Sequence, residues 1–246
     1  MQDSSTVKIR QARISDVEDL VRVDIAQYSD MTADFAENSN ISAMFARRIS
    51  NTPGWFWVAL VDGRIEGLLS TCPTTHSPEG FVSWEKCTNN GTLDGIFDER
   101  ADFLYGVALT VTAKGGAAGV TKALLAAGLA RFFSSEKRTL YLSGRMPGYH
   151  KVADEVSPQE YYDAQVTVRG QRVARDPQVR MYERLGFRRA GLVPGGFAVD
   201  HESAGYGVLL TMENPFREGV RPEMLNAMCE RIAKQDDGPA WLTALS

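Results

Sequence analysis

The sequence predicts an α+β domain in which a mixed central sheet carries helices on both faces. Three observations carry that prediction. Alternating or β-branched runs recur at 7–13, 55–61, 64–71, 102–112, 138–143, 187–193 and 205–213. Helix-opening caps fall between those runs. A glycine-rich turn joins the strongest strand directly to the most apolar helix.

The elements follow in order. Val7 and Ile9 alternate with polar residues in the first strand, and Ser15-Asp-Val-Glu18 reads as a capping box opening a helix to about Tyr28. A second helix over 39–50 places Ile41, Met44, Phe45 and Ile49 on one face and stops at Pro53-Gly54. The next two runs flank Asp62-Gly63, a hairpin dipeptide, and Trp55 and Trp57 share the core-facing side. Residues 73–100 are rich in Pro, Thr, Asn and Gly with a strand expected at 81–87, and a connection of that length is usually functional or mobile. Strand 102–112 runs into Lys114-Gly-Gly-Ala-Ala-Gly119 and a helix reaching Phe133, followed by strand 138–143. Ser157-Pro-Gln-Glu160 is a capping box with Pro at the first helical position, and Asp176-Pro177 starts a helix that Gly186 ends. Two strands follow, and Asn214-Pro215 stops the sheet. Met224, Leu225, Met228 and Ile232 lie on one face of a helix in the tail.

At about 150 residues per domain, 246 residues make one large domain with an appendage, divided here as 1–216 and a helical extension over 217–246. Charged residues at 24% and hydrophobic ones at 43% exclude disorder and coiled coil. Lys122 interrupts the richest apolar stretch, 117–133, so no membrane span is expected. The N-terminal MQDSSTVKIR lacks a basic region followed by an apolar core, which gives a cytoplasmic expectation. A net charge of −4 disfavours gripping a nucleic-acid backbone, yet leaves room for a local basic site. Cys72, Cys87 and Cys229 form no CxxC pair, and His76, His150 and His201 have no ligand spacing, so neither disulfides nor a metal are expected.

The chemistry begins at the turn Val111-Thr-Ala-Lys-Gly-Gly-Ala-Ala-Gly119-Val-Thr. Small residues let the backbone approach a ligand, and the amides of the helix's first turn point outward without internal partners. Their dipole favours an anion such as phosphate. The turn is neither a Walker loop nor a GxGxxG fingerprint.

Two signatures then carry a family resemblance. Val111 and Gly119 are in register with the cofactor-loop motif of the GNAT acyltransferases, with Lys122-Ala-Leu-Leu125 continuing the helix. Gly116 and Thr121 stand where that family places Arg or Gln and a small residue, and Lys114 and Lys122 are nearby cationic substitutes. Asp176-Pro-Gln-Val-Arg-Met-Tyr182-Glu-Arg-Leu-Gly186-Phe187 is similar to the family's penultimate helix, ending in Tyr-x-x-x-Gly-Phe. The resemblance spans about residues 7–215. Over 145–215 it is closest to GNAT domains sometimes fused to nitrilase-like amidohydrolases, through Arg145-Met-Pro-Gly-Tyr149, Gly170, Asp200, Ser203 and Gly205-Tyr206.

The resemblance implies a sheet of about seven strands splayed between the fourth and fifth, and an N-acyltransferase that takes acetyl-CoA as co-substrate. Amides around Val107 and Leu109 would hold the pantetheine arm and the acyl carbonyl. Val111, Gly116, Ala117, Ala118, Gly119, Val120, Thr121 and Lys122 would hold the pyrophosphate. Tyr182 matches the general acid, and a phenol with a pKa of about 10 can protonate a leaving thiolate. The base stays open between Glu85, Asp102 and a chain of waters. Arg145 and Tyr149 are the expected acceptor contacts, Arg145 being equally suited to an ion pair, and Tyr105 is a further polar group. The implied acceptor is the primary amine of a small molecule or amino-acid-like metabolite, bound by a monomer or homodimer. A non-catalytic acyl-CoA-binding module and an acyltransferase using a carrier-protein-bound donor are the alternatives. Free thiol release from acetyl-CoA separates them.

Overall fold

The computed structural model describes residues 6–36, 41–198 and 200–217. The expected tail helix around Met224–Ile232 therefore lies outside the described residues. β1 (Val7–Gln11) pairs with β2 (Phe56–Val61), and β2 turns through Asp62 and Gly63 into β3 (Arg64–Thr74). Both turn residues have positive φ, 52° and 83°, as a two-residue hairpin turn of this hand requires. β4 (Phe103–Val111), β5 (Thr139–Arg145), β8 (Arg188–Val193) and β9 (Gly207–Glu213) complete a seven-stranded sheet of order β1-β2-β3-β4-β5-β9-β8. Among the described strands only β4 and β5 run parallel, because the helix α5 (Val120–Phe133) carries the chain back between them.

Helices cover both faces, as the sequence predicts. On one face α1 (Val17–Ala36) and α2 (Ile41–Asn51) bury Leu20, Val23, Ile41, Met44 and Phe45 against Phe56, Val58 and Leu68. On the other, Leu124, Leu129, Phe132 and Phe133 of α5 pack on Trp55, Trp57, Ala59 and Leu69. A Cβ on Gly128 would lie 2.5 Å from the Leu69 side chain, so glycine is what lets α5 settle onto β3. The two tryptophans are core residues, as expected.

The sheet opens at one place. β4 and β5 pair only from Phe103↔Thr139 to Gly106↔Leu142, although β4 continues to Val111 and β5 to Arg145. Their outer edges stay paired along that length, β4 to β3 and β5 to β9. The divergence coincides with an extra residue on β4, Val107, between the pairs Thr71↔Gly106 and Ser70↔Ala108. A bulge of this kind bends its strand and sharpens its twist. The predicted splay between fourth and fifth strands is present.

Several local expectations are corrected. The run expected as a strand at 81–87 contains α3 (Trp84–Thr88), because Ser83 Oγ accepts from the Lys86 amide at 3.3 Å and starts a helical turn. At the N-terminus, Ser15 is not the cap; a short 3-10 turn over Ile14–Asp16 precedes α1, and the Asp16 carboxylate takes the Arg13 amide at 2.8 Å. α1 does not stop at Tyr28 but continues past it through a break, φ −127° and ψ 35°. The excursion after β5 also holds an unforeseen hairpin, β6 (Gln165–Val168) and β7 (Gln171–Ala174), turning on Arg169 and Gly170 at φ 49° and 80°. The caps at Ser157 and Asp176 form as read, opening α6 (Pro158–Asp163) and α7 (Pro177–Arg184).

Candidate functional site

The splay is reached from two sides. On the α5 side lies the glycine-rich turn, where α4 (Ala113–Ala117) precedes α5. Thr112 braces it: its hydroxyl donates to the buried Glu66 carboxylate at 2.6 Å and accepts from the Gly115 amide at 3.1 Å. A Cβ on Gly115 would sit 2.5 Å from the Glu66 carbonyl, so glycine is required there by close approach. Within the predicted cradle, the amides of Gly116, Ala118 and Gly119 donate to Thr112, Lys114 and Gly116 carbonyls. The outward donors therefore come from the start of α5. Ala123 is the first residue whose amide reaches back to the Gly119 carbonyl, and Val120 and Thr121 precede it. Gly119, at φ 81°, supplies the left-handed step that aims this helix start. Nothing lies within 4 Å of a Cβ built on Gly116 or Gly119, so the space in front of the turn is open. Open space, first-turn amides and exposed Lys122 fit a pyrophosphate.

On the α1–α2 side the splay leads into a cavity of about 340 Å³, within the size range of small-molecule pockets. Its floor is Val107, Ala108 and Thr110 of β4. Its walls are Asp24 and Tyr28 of α1, Met44 and Arg48 of α2, Trp84 and Glu85 of α3, Asn90, Arg145 and the 197–198 segment. α3 is tied across the opening by three bonds. The Trp84 indole donates to the Val107 carbonyl at 2.8 Å, the Trp84 amide donates to Gly196 O at 3.0 Å, and Glu85 Oε1 accepts from the Ala198 amide at 3.1 Å.

Charge is distributed unevenly around this cavity. Arg145 makes a two-pronged contact with Asp200, both bonds at 2.7 Å, and a third with Glu202 at 2.9 Å. Burial alone would lower its pKa, but these carboxylates hold it above the usual value. Arg48 is 2% exposed, and among the described residues no carboxylate comes within ion-pair distance of it. Its Nε donates to Gly91 O at 2.8 Å, and its guanidinium lies 5.2 Å from the Phe45 ring and 5.9 Å from the Trp84 ring. Burial brings its pKa down to about 10, so it stays cationic at neutral pH. Burial raises the Asp24 carboxyl above its ordinary value, with the Arg48 charge only partly opposing.

Tyr182 stands on α7, buried, its ring edge 3.8 Å from where a Cβ on Gly144 of β5 would lie. Burial first, then the neighbouring Tyr28 phenol, keeps its hydroxyl protonated well above the usual range. Tyr28 itself is raised by burial, and the Arg145 guanidinium stacks on its ring at 5.4 Å.

The other sequence-predicted residues divide. Glu85 lines the cavity, on a helix instead of the expected strand. Val107 lines the floor, while Leu109 and Val111 turn toward the α5 side. Asp102 lies at the opposite end of β4, exposed and paired with Arg217 at 3.1 Å. Tyr149 is 3% exposed, donates to Val156 O at 3.1 Å and packs on Tyr161 and Tyr206, away from the cavity. Tyr105 stacks between Phe81 and Tyr141 in the core. From the 73–100 connection the cavity takes Trp84, Glu85 and Asn90; beyond Arg145 residues 146–175 add nothing to its lining, and α1 and α2 supply that wall. Sequence reasoning missed Asp24, Tyr28 and Arg48. One signal was available: Arg48 continues the buried stripe Ile41, Met44, Phe45 at helical spacing, a charge where the pattern calls for an apolar residue. Among the described residues no cluster of metal-ligating side chains occurs and no helix is long and apolar enough to cross a membrane.

No family model matches the chain. It is 27% identical over 172 residues to the uncharacterized N-acetyltransferase YkwB of Bacillus subtilis, an alignment covering 70% of this chain and 74% of that protein. Its fold superposes on the GphF GNAT-like decarboxylase in complex with isobutyryl-CoA, at a TM-score of 0.67, 22% identity and coverage of 84% of this chain and 98% of that one. The loading GNATL domain of CurA from Lyngbya majuscula is similar at a TM-score of 0.70 and 18% identity, covering 85% and 98% of the two chains. With one parallel strand pair among its described strands, splayed beside a glycine-rich helix start, the chain has the GNAT fold.

Proposed function

We propose that the protein is an N-acyltransferase that moves an acyl group, most simply acetyl, from acyl-CoA to the primary amine of a small molecule. One observation carries the reading. The splay joins an anion-fitting helix start on one face of the sheet to a charge-bearing cavity on the other, so donor and acceptor can meet from opposite sides. The pyrophosphate would lie over the amides of Val120 and Thr121 with Lys122 beside them, and the unpaired β4 edge from Val107 to Val111 would receive the pantetheine arm.

The amine must arrive neutral and in line with the thioester carbon. Asp24, raised by burial and without a hydrogen-bond partner among the described residues, is the group placed to take the ammonium proton. Nitrogen then bonds to the acyl carbon, the carbon–sulfur bond breaks, the departing thiolate takes a proton from the Tyr182 hydroxyl, and the proton that nitrogen sheds in becoming an amide restores that hydroxyl. Glu85 is a weaker base because one of its oxygens already accepts the Ala198 amide. Asp102 is too far along β4 to serve. Calorimetry with acetyl-CoA and desulfo-CoA, followed by thiol release against an amine panel, tests the reading. Saturable binding and amine-dependent release are expected; no binding at millimolar cofactor overturns it.

A second reading is favoured by the likeness to the GphF decarboxylase and the CurA loading domain. In it the chain decarboxylates a carboxyacyl thioester or exchanges acyl groups with a carrier protein. Release of CO₂ from malonyl-CoA without any amine supports this reading over the first.

A further inference from the structure

Arg48 is the feature that amine acylation by itself does not explain. A fully buried guanidinium without an ion-paired carboxylate is costly, and proteins normally pair it. Here it is instead held ready. Of the five N–H donors of a guanidinium, Nε goes to Gly91 O at 2.8 Å and an Nη2 hydrogen to Met44 Sδ at 3.5 Å. The Nη1 pair has no protein acceptor among the described residues. The flanking Phe45 and Trp84 rings fix the plane of the group, and Arg48 lines the cavity. Asp24 lines the same cavity from α1, close enough to couple electrostatically to Arg48 yet not in an ion pair with it.

From this arrangement we infer that the cavity takes a zwitterion, an α-amino acid, with its carboxylate on the Nη edge of Arg48 and its ammonium at Asp24. This rests on the amine-acylation reading and narrows its substrate class. In an α-amino acid the two charges stand on neighbouring carbon and nitrogen atoms of one centre, which suits a cation and an anion that face one space without touching. The remaining lining favours an apolar side chain of moderate size, through Met44, Trp84, Val107, Ala108 and Phe197. Arg145 is not a rival for the carboxylate, because Asp200 and Glu202 already occupy it.

The test uses matched pairs that differ only in the carboxylate: L-leucine and isoamylamine, L-methionine and 3-(methylthio)propylamine, L-phenylalanine and 2-phenylethylamine. Binding to the full chain with desulfo-CoA present is measured by calorimetry, and thiol release from acetyl-CoA is measured separately. At least one amino acid is expected to bind tenfold or more tighter than its counterpart. Arg48→Met should collapse that ratio toward one while changing the counterpart amine less than threefold. Arg48→Lys, which keeps the charge, should retain part of the ratio and serves where Arg48→Met does not fold. Preferential binding without turnover supports the zwitterion site while sinking amine acylation. Equal binding within each pair, or no detectable binding of any of the three amino acids to the wild type, overturns the inference. Equal loss of both members of a pair in Arg48→Met and Arg48→Lys also overturns it, since that is what a purely structural arginine would give.

Discussion

Arg145 and Arg48 reach the same cavity from opposite walls, β5 and α2, and both are largely buried. Arg145 is neutralised by Asp200 and Glu202, and Asp200 is itself anchored by the Ser203 amide at 3.3 Å. Arg48 has a backbone carbonyl, a thioether and two aromatic rings around it, and no carboxylate in pairing distance among the described residues. A buried charge that the fold neutralises is a fastener. One that the fold leaves electrically incomplete is open to a ligand. The difference in partners, rather than residue type or exposure, separates these roles.

The largest expected effect on that contrast is in stability. Arg145→Ala strands the fully buried side chain of Asp200 and should cost about 3–5 kcal/mol. Arg48→Met loses one bond to Gly91 O but removes an uncompensated charge, so its loss should stay near about 1 kcal/mol. Urea unfolding of both variants checks this, and equal losses would erase the distinction.

Tyr182→Phe probes the chemical step itself. It should slow turnover at least about tenfold while acetyl-CoA affinity is unchanged, since general acid assistance is worth about 10²–10⁴-fold. An unchanged rate would assign thiolate protonation to solvent or to Tyr28.

The carboxylates opposite each arginine should respond to acid in opposite senses. Burial pushes Asp200 up, but the Arg145 bonds and Ser203 outweigh it and hold its pKa below 3.8. Its contribution to stability is present above the ordinary carboxylate range and is lost as pH falls through the lowered value. Asp24 is raised above 3.8, so its contribution to stability is present below that value and fades as pH rises through the raised one. The acid limb of kcat/KM should accordingly fall above pH 3.8 and follow Asp24, which Arg48, Tyr28, Arg145 and Glu85 face across the cavity. A pH–rate profile of Asp24→Asn that keeps the wild-type acid limb would reassign the base.

The smallest expected effect is on the other face of the sheet. Gly116 has open space in front of it and no unusual φ, so Gly116→Arg should fold normally. It should tighten acetyl-CoA a few-fold, because each added phosphate contact is worth about 1.5–3 kcal/mol before the cost of ordering a long side chain. Weaker binding would show that Lys122 and the helix start already fill that corner.

The α5-side half of the site was legible because it is local. A strand, a run of small residues and a helix start lie within a dozen positions of one another, and helix geometry alone dictates where their amides point. Even there, the hydrogen bonds of Gly116, Ala118 and Gly119 had to be seen before the outward donors could be assigned to the start of α5. Tyr182 was legible through a spacing, Tyr-x-x-x-Gly-Phe, that lies within one helix and its cap. The sheet, its helical layers and the caps at Ser157 and Asp176 follow from periodicity and capping chemistry for the same reason.

The cavity was not legible. Asp24, Arg48, Glu85 and Arg145 come from four elements spread over about half the chain, and nothing local marks them as neighbours. Asp102 and Tyr149 looked equally suitable in sequence, yet the direction of β4 carries Asp102 to the wrong end of the strand and core packing consumes Tyr149. By itself the sequence determined the elements, their order and the anion-fitting turn, since these depend on residues a few positions apart. Only the tertiary structure decided which arginine would be neutralised and which left facing the cavity, because a buried charge's partners are set by long-range packing.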